Sequence, residues 1–193
     1  GVFYSTNADG TTSGGPAQTV VVVDRSFITS HNWGVQDDAL FTVVNRNMSL
    51  GQTINIVNSV INATSNGRRH IWYYSNLKFL VDNLHLTVQN SQVFIESRTT
   101  SSALLFADGA NNAFVRTTVK VYSVELLVRC KGTCFVCAFE RMGYDGITRA
   151  NVLFMFQIAH STVALEVGGP GIPNQRSTIL SIIPSGSIDY PSI

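Results

Sequence analysis

Charge is scarce in this sequence. Of 193 residues, 13 are Lys or Arg and 12 are Asp or Glu, a charged fraction of 13%. That excludes a disordered segment, which needs many charges and few apolar groups. It also excludes a coiled coil with charged flanks. The formal net charge of +1 leaves no bulk field to attract nucleic acid or an anionic membrane. No uninterrupted apolar run reaches the ~18 residues of a membrane span. The longest candidate, residues 150–167, is broken by Gln157, His160 and Glu166. Helical periodicity is scarce too. Its best window runs from Asp145 to Ser161, and the apolar run from Val152 to Phe156 inside it also suits a buried strand. Three cysteines are an odd number, so at least one thiol has no partner within the chain. No secretory leader is visible at Gly1, and a mature chain that starts at Gly is read as processed or as a fragment.

What the sequence has is a texture that recurs about every 33 residues. Five apolar, β-branched runs begin at Val20, Ile54, Leu84, Val119 and Val152, at intervals of 34, 30, 35 and 33 (54−20, 84−54, 119−84, 152−119). In the better-formed units a second short apolar run follows, beginning at Ala39, Ile71, Ala103 and Cys134. Within several runs the apolar residues alternate with polar ones, as Leu84, Leu86 and Val88 do with His85 and Thr87. Period two with one apolar face marks a half-buried strand. A unit of two or three strands cannot bury its own apolar face, so such units are stable only when stacked. The expected fold is all-β: a parallel β-solenoid of about five coils. The domain boundaries follow from composition. Residues 1–18 form a Gly/Ser/Thr-rich arm, 19–183 a single solenoid domain with a last strand at Ser177–Ile183, and 184–193 a tail.

The strand–turn–strand units, with an Asn or Ser near each bend, resemble the right-handed parallel β-helix (pectin-lyase-like) superfamily. The texture is also similar to long repetitive surface proteins of flagellate protists. The resemblance covers residues 20 to about 167 and implies an all-β solenoid, often extracellular and often concerned with glycans.

Four groups of residues are candidates for chemistry. Asp37 and Asp38 form an adjacent carboxylate pair ahead of a strand. Glycoside hydrolysis needs two carboxylates, one to protonate the leaving oxygen and one to activate water or attack. The resemblance matches this pair to the acid/base pair of polygalacturonase-type enzymes, with Trp33 nearby to stack a sugar. The downstream Gly-His-Gly and Arg-Ile-Lys motifs of those enzymes are missing, and adjacent strand residues point to opposite faces; the alternative is a solvated turn. Arg68, Arg69, Trp72 and Tyr74 combine cations with aromatic faces, a platform for glycans; the alternative is a polar turn feeding a strand whose aromatics face the core. Cys130, Cys134 and Cys137 have the Cys-x3-Cys-x2-Cys spacing that can hold an iron–sulfur cluster. The alternative is a Cys130–Cys134 disulfide and a buried core Cys137. Asn47 and Asn62 open N-glycosylation sequons. No His pair has metal-ligand spacing, and no Gly-rich loop opens a helix.

The sequence therefore reads as a non-enzymatic, extracellular or cell-surface structural or adhesive module without cofactor or metal. It is expected to self-associate through coil ends into filaments and to bind glycans, with no nucleic-acid partner. A glycan-active hydrolase or lyase using Asp37 and Asp38 is the alternative.

Overall fold

The computed structural model describes residues 3–7, 19–34, 38–45, 49–76, 81–112, 116–142, 153–168 and 176–184. Among them are sixteen strands and no helix. Three sets of strands recur in strict rotation. The first comprises β2 (Thr19–Asp24), β5 (Ser49–Val57), β8 (Val81–Gln89), β11 (Arg116–Tyr122) and β14 (Leu153–Ala159). The second comprises β3 (Phe27–Asn32), β6 (Val60–Ser65), β9 (Gln92–Ser97), β12 (Glu125–Cys130) and β15 (Thr162–Val167). The third comprises β1 (Phe3–Asn7), β4 (Asp38–Asn45), β7 (Arg69–Asn76), β10 (Ser102–Asn112), β13 (Thr133–Met142) and β16 (Arg176–Pro184). Each set forms one parallel sheet, in the orders β2-β5-β8-β11-β14, β3-β6-β9-β12-β15 and β1-β4-β7-β10-β13-β16. The chain is thus an all-β parallel solenoid in which each rung takes one strand from every sheet.

The core follows from stacking like on like. Val21, Ile54, Leu86, Val119 and Phe156 form one interior column, and Val23, Ile56, Val88, Val121 and Ile158 another. The apolar recurrence is real, but its register is shifted from the run starts. Val21, not Val20, is level with Ile54, and Leu86, not Leu84, with Val119. In the third sheet the alternation breaks. Leu40–Phe41, Ile71–Trp72, Leu104–Leu105 and Val136–Cys137 each place two successive residues in the core. This leaves Ala103, Phe106, Phe135 and Ala138 to form a separate small cluster on the other face.

Four of the five long apolar runs hold two strands divided by a two-residue corner, and the fifth is followed by the same corner. Its first residue is Arg25, Asn58, Asn90, Ser123 or His160, all left-handed with φ between 45° and 53°. Asn tolerates that region better than most residues because its short polar side chain bonds locally. Here it also bonds along the axis. Asn58 Nδ2 donates to Asp24 Oδ1 at 3.2 Å, and Asn90 Nδ2 to Asn58 Oδ1 at 3.3 Å. The second corner residue supplies a hydroxyl ladder. Ser59 Oγ donates to Val57 O at 2.7 Å and accepts from the Ser26 amide at 3.1 Å. Ser91 and Ser161 repeat this pattern, accepting from Ser59 N and Val124 N, each at 3.0 Å. These bonds satisfy backbone groups that a tight corner would otherwise leave unpaired.

Two segments left open by the sequence take definite form here. The Gly-rich arm contains a strand, since β1 pairs with β4 from Phe3↔Phe41 to Asn7↔Asn45. The window from Asp145 to Ser161 is not helical where described, because Leu153–Ala159 is β14. Its Leu-Phe-Met-Phe stretch, residues 153–156, lies in this strand, with Phe156 in the interior column and Met155 exposed.

Candidate functional site

The corner between the second and third sheets gathers most of the chemistry. Asn32, Ser65, Ser97, Cys130 and Val167 end the second-sheet strands in one column. The residues that follow them, Trp33, Asn66, Arg98, Lys131 and Gly168, run along the outer corner, one per rung. Backbone bonds from Asn66 N to Asn32 O, Arg98 N to Ser65 O and Gly168 N to Cys130 O hold this progression. Trp33 is 75% exposed and meets His31 edge-on at 4.1 Å between ring centroids. Asn66 Nδ2 donates to Trp33 O at 3.0 Å, fixing the chain that carries the indole. Arg98 and Lys131 are exposed on successive rungs, about 4.8 Å apart by sheet geometry. Arg98 lies 3.9 Å from Glu96, and on the adjacent face Arg129 pairs with Glu166 at 2.7 Å. The Arg129 guanidinium also covers the Phe94 ring at 5.7 Å. The result is an exposed ridge with two cations on successive rungs and one open indole, suited to polar or anionic ligands with a flat face.

The platform expected from residues 68–74 is divided. Arg68 is exposed beside this ridge, whereas Arg69 and Trp72 are fully buried. Tyr74 belongs to β7, level with Val43 and Ala107, and its side chain lies outside the described residues. Arg69 points into the corner because its strand position is an interior one, in the column Asp38, Arg69, Ser102, Cys134, Ser177. Its guanidinium bonds the Asp38 carboxylate and the Ser30 hydroxyl. Burial pulls the Arg69 guanidinium below its ordinary value, and Asp38 acts against that. A carboxylate committed to a buried cation is poorly placed to activate water. Asp37, the other half of the pair, lies outside the described residues.

In the fourth rung the same corner is closed covalently. Cys130 and Cys134 form a disulfide with Cα atoms 5.8 Å apart. Cys137 is free, buried, and its thiol is pushed up by burial. Two bonded sulfurs and one protonated thiol are not three converging thiolates. Among the described residues no group of three or more His, Cys, Asp or Glu side chains could hold a metal. Gly132 makes the tight return possible, since a Cβ there would lie 3.1 Å from the Thr100 carbonyl carbon. With a sequence separation of 4, loop-closure entropy assigns the disulfide about 2 kcal/mol. Cys130→Ser/Cys134→Ser should lower the urea unfolding free energy by that amount; an unchanged midpoint would contradict it.

Asn47 lies outside the described residues. Asn62 sits mid-strand in β6, partly exposed, with its Oδ1 buried and unbonded. Arg98 and Lys131 were not singled out from sequence. The signal that could have found them is positional, because each follows a second-sheet strand one repeat after its counterpart. Set against known proteins, the chain matches no family model, no curated protein and no solved structure.

Proposed function

We propose that this chain is a non-enzymatic structural or adhesive solenoid module of the cell surface or extracellular space, assembling end to end and using its corner ridge for glycans. The observation that carries the reading is the apolar surface on the first and last rungs among the described residues. On the first, Phe27 is 76% exposed and Val22 61%; on the last, Met155 is 54% exposed. Strand edges with unpaired backbone groups and apolar neighbours are templates for another chain. A heterologous contact of that kind generates filaments if it does not close. The disulfide supports an oxidising compartment. The two-residue corners support the finer placement beside the pectin-lyase-like superfamily and repetitive surface proteins, as part of the same proposal.

Sedimentation velocity over a hundredfold concentration range tests this. The chain should shift to larger, elongated species as concentration rises. Val22→Lys/Phe27→Lys, which places charge on β2 and β3 of the first rung, should stay monomeric. A single concentration-independent species for the unmodified chain would overturn the proposal.

A further inference from the structure

Asn66-Gly67 is the one Asn-Gly pair of the chain. It stands on the ridge between Trp33 and Arg98, where the chain leaves β6. An asparagine followed by glycine is the arrangement that loses its side-chain amide most readily, because no Cβ on the second residue hinders the approach of its nitrogen. The reaction is internal. The Gly67 nitrogen gives up its proton and attacks Asn66 Cγ. The Cγ–Nδ2 bond breaks, and ammonia leaves with a proton from water. Water then opens the cyclic imide at either carbonyl, giving aspartate or the β-linked isoaspartate. One water is consumed, one ammonia is released, and no other reactant enters.

The corner holds every group that this reaction must move. The peptide unit joining Asn66 to Gly67 is fixed at both ends. Its N–H donates to Ser65 Oγ at 3.0 Å, and its carbonyl accepts from Thr99 Oγ1 of the next rung. Deprotonation forfeits the first bond, and turning the nitrogen toward Cγ breaks both. The side-chain amide is directed to the preceding rung, with Nδ2 donating to Trp33 O at 3.0 Å. The flanking groups are tied as well. Asn66 N donates to Asn32 O at 3.1 Å, and Gly67 O accepts from Ser97 Oγ at 2.7 Å. Three successive rungs grip one dipeptide.

We propose that Asn66 is a gated deamidation site: the bonds between rungs keep it intact in the folded corner, and opening of that corner releases it to react. The product cannot restore the corner. Aspartate has no N–H to give Trp33 O, and it sets a carboxylate against that carbonyl. Isoaspartate adds a main-chain carbon to a connection of only three residues between β6 and β7. Either product puts a negative charge on the ridge between Trp33 and Arg98. The inference is independent of what the ridge binds and of how copies of the chain associate.

Peptide mapping by mass spectrometry tests it, at mildly alkaline pH, on the full chain with its disulfide intact. Asn66 should convert at least about tenfold more slowly in the folded chain than in the same chain held unfolded in guanidinium chloride, since several bonds must open together. Thr99→Val, at an exposed position, and Ser65→Ala should each speed conversion in the folded chain about fivefold, the factor for one ordinary hydrogen bond. Asn58-Ser59 and Asn90-Ser91 in the same digests are the controls, and their rates should not change. A rise at all three sites marks global opening and counts against a local gate. If Ser65→Ala loses its β-sheet signal in circular dichroism, Thr99→Val alone decides. Equal rates at Asn66 in the folded and unfolded chain would overturn the gate, as would an unchanged rate in Thr99→Val. An Asn66 that survives in the unfolded chain would overturn the site itself.

Discussion

Lowering the pH from 7 to 4.5 should cost the fold about 3 kcal/mol through one side chain, and His70→Phe should remove most of that loss. His70 lies in β7 on the face away from the main core, level with Ala39 and Ala103. It stacks on Phe106 at 4.7 Å with 22° between planes, and Tyr73 lies beyond at 6.2 Å. It is buried, and its Nδ1 has no hydrogen-bond partner. Burial, reinforced by the Arg68 and Arg69 charges, pushes its pKa down to about 3. The unfolded chain takes up the imidazole proton near the ordinary 6.5, whereas the folded chain resists until far lower. Below pH 6.5 the unfolded state therefore gains about 1.4 kcal/mol per unit. Stability from this site is full above pH 6.5 and is lost as pH falls toward 3. Urea titrations at pH 7, 5.5 and 4.5 for the unmodified chain and His70→Phe measure it. Equal pH slopes in the two proteins would refute it. Phe keeps the ring stack, so the variant separates titration from packing.

Asp38→Ala should destabilise the fold by about 3–5 kcal/mol, the range for leaving one buried charge without its partner. The charge left behind belongs to Arg69, whose side chain is wholly buried while that of Asp38 is 21% exposed. The two ends of the pair are therefore unequal. Arg69→Met removes the expensive charge and leaves a carboxylate that water reaches, so it should cost less than Asp38→Ala. Adding Arg69→Met to Asp38→Ala should recover at least half of the loss, since the interior then holds no unpaired cation. Denaturation of the two single variants and the double variant gives the coupling. A loss below 1 kcal/mol for Asp38→Ala, or additive losses in the double variant, would refute the account.

The stacked fold was legible because period-two alternation and a 33-residue recurrence both follow from the same sheets. The corners at Asn58–Ser59 and Asn90–Ser91 were hidden inside what looked like single runs. Two polar residues between apolar stretches read as ordinary outward positions, and only the left-handed backbone reveals a change of direction. Arg69 was misplaced for a different reason. A cation in an Arg-Arg-His stretch reads as solvated, and nothing local shows that Asp38, 31 residues earlier, lies level with it. Arg68 and Trp33 stand on the surface, yet the ridge they adjoin includes Arg98 and Lys131, which only the register assembles. β1 was lost among glycines and serines because pairing with one neighbour demands little from its sequence.

The connections between sheets differ in how much length they accept. Between the first and second sheets two residues intervene every time, at 25–26, 58–59, 90–91, 123–124 and 160–161. Between the second and third the gap ranges from two residues, after Cys130, to eight, after Val167. Between the third and first it ranges from three residues, after Asn45, to eleven, after Asn7. An added residue at the constant connection would turn each following side chain to the opposite face. This chain can therefore diversify by growing loops along two edges, while the remaining edge acts as the ruler that keeps every later repeat in phase.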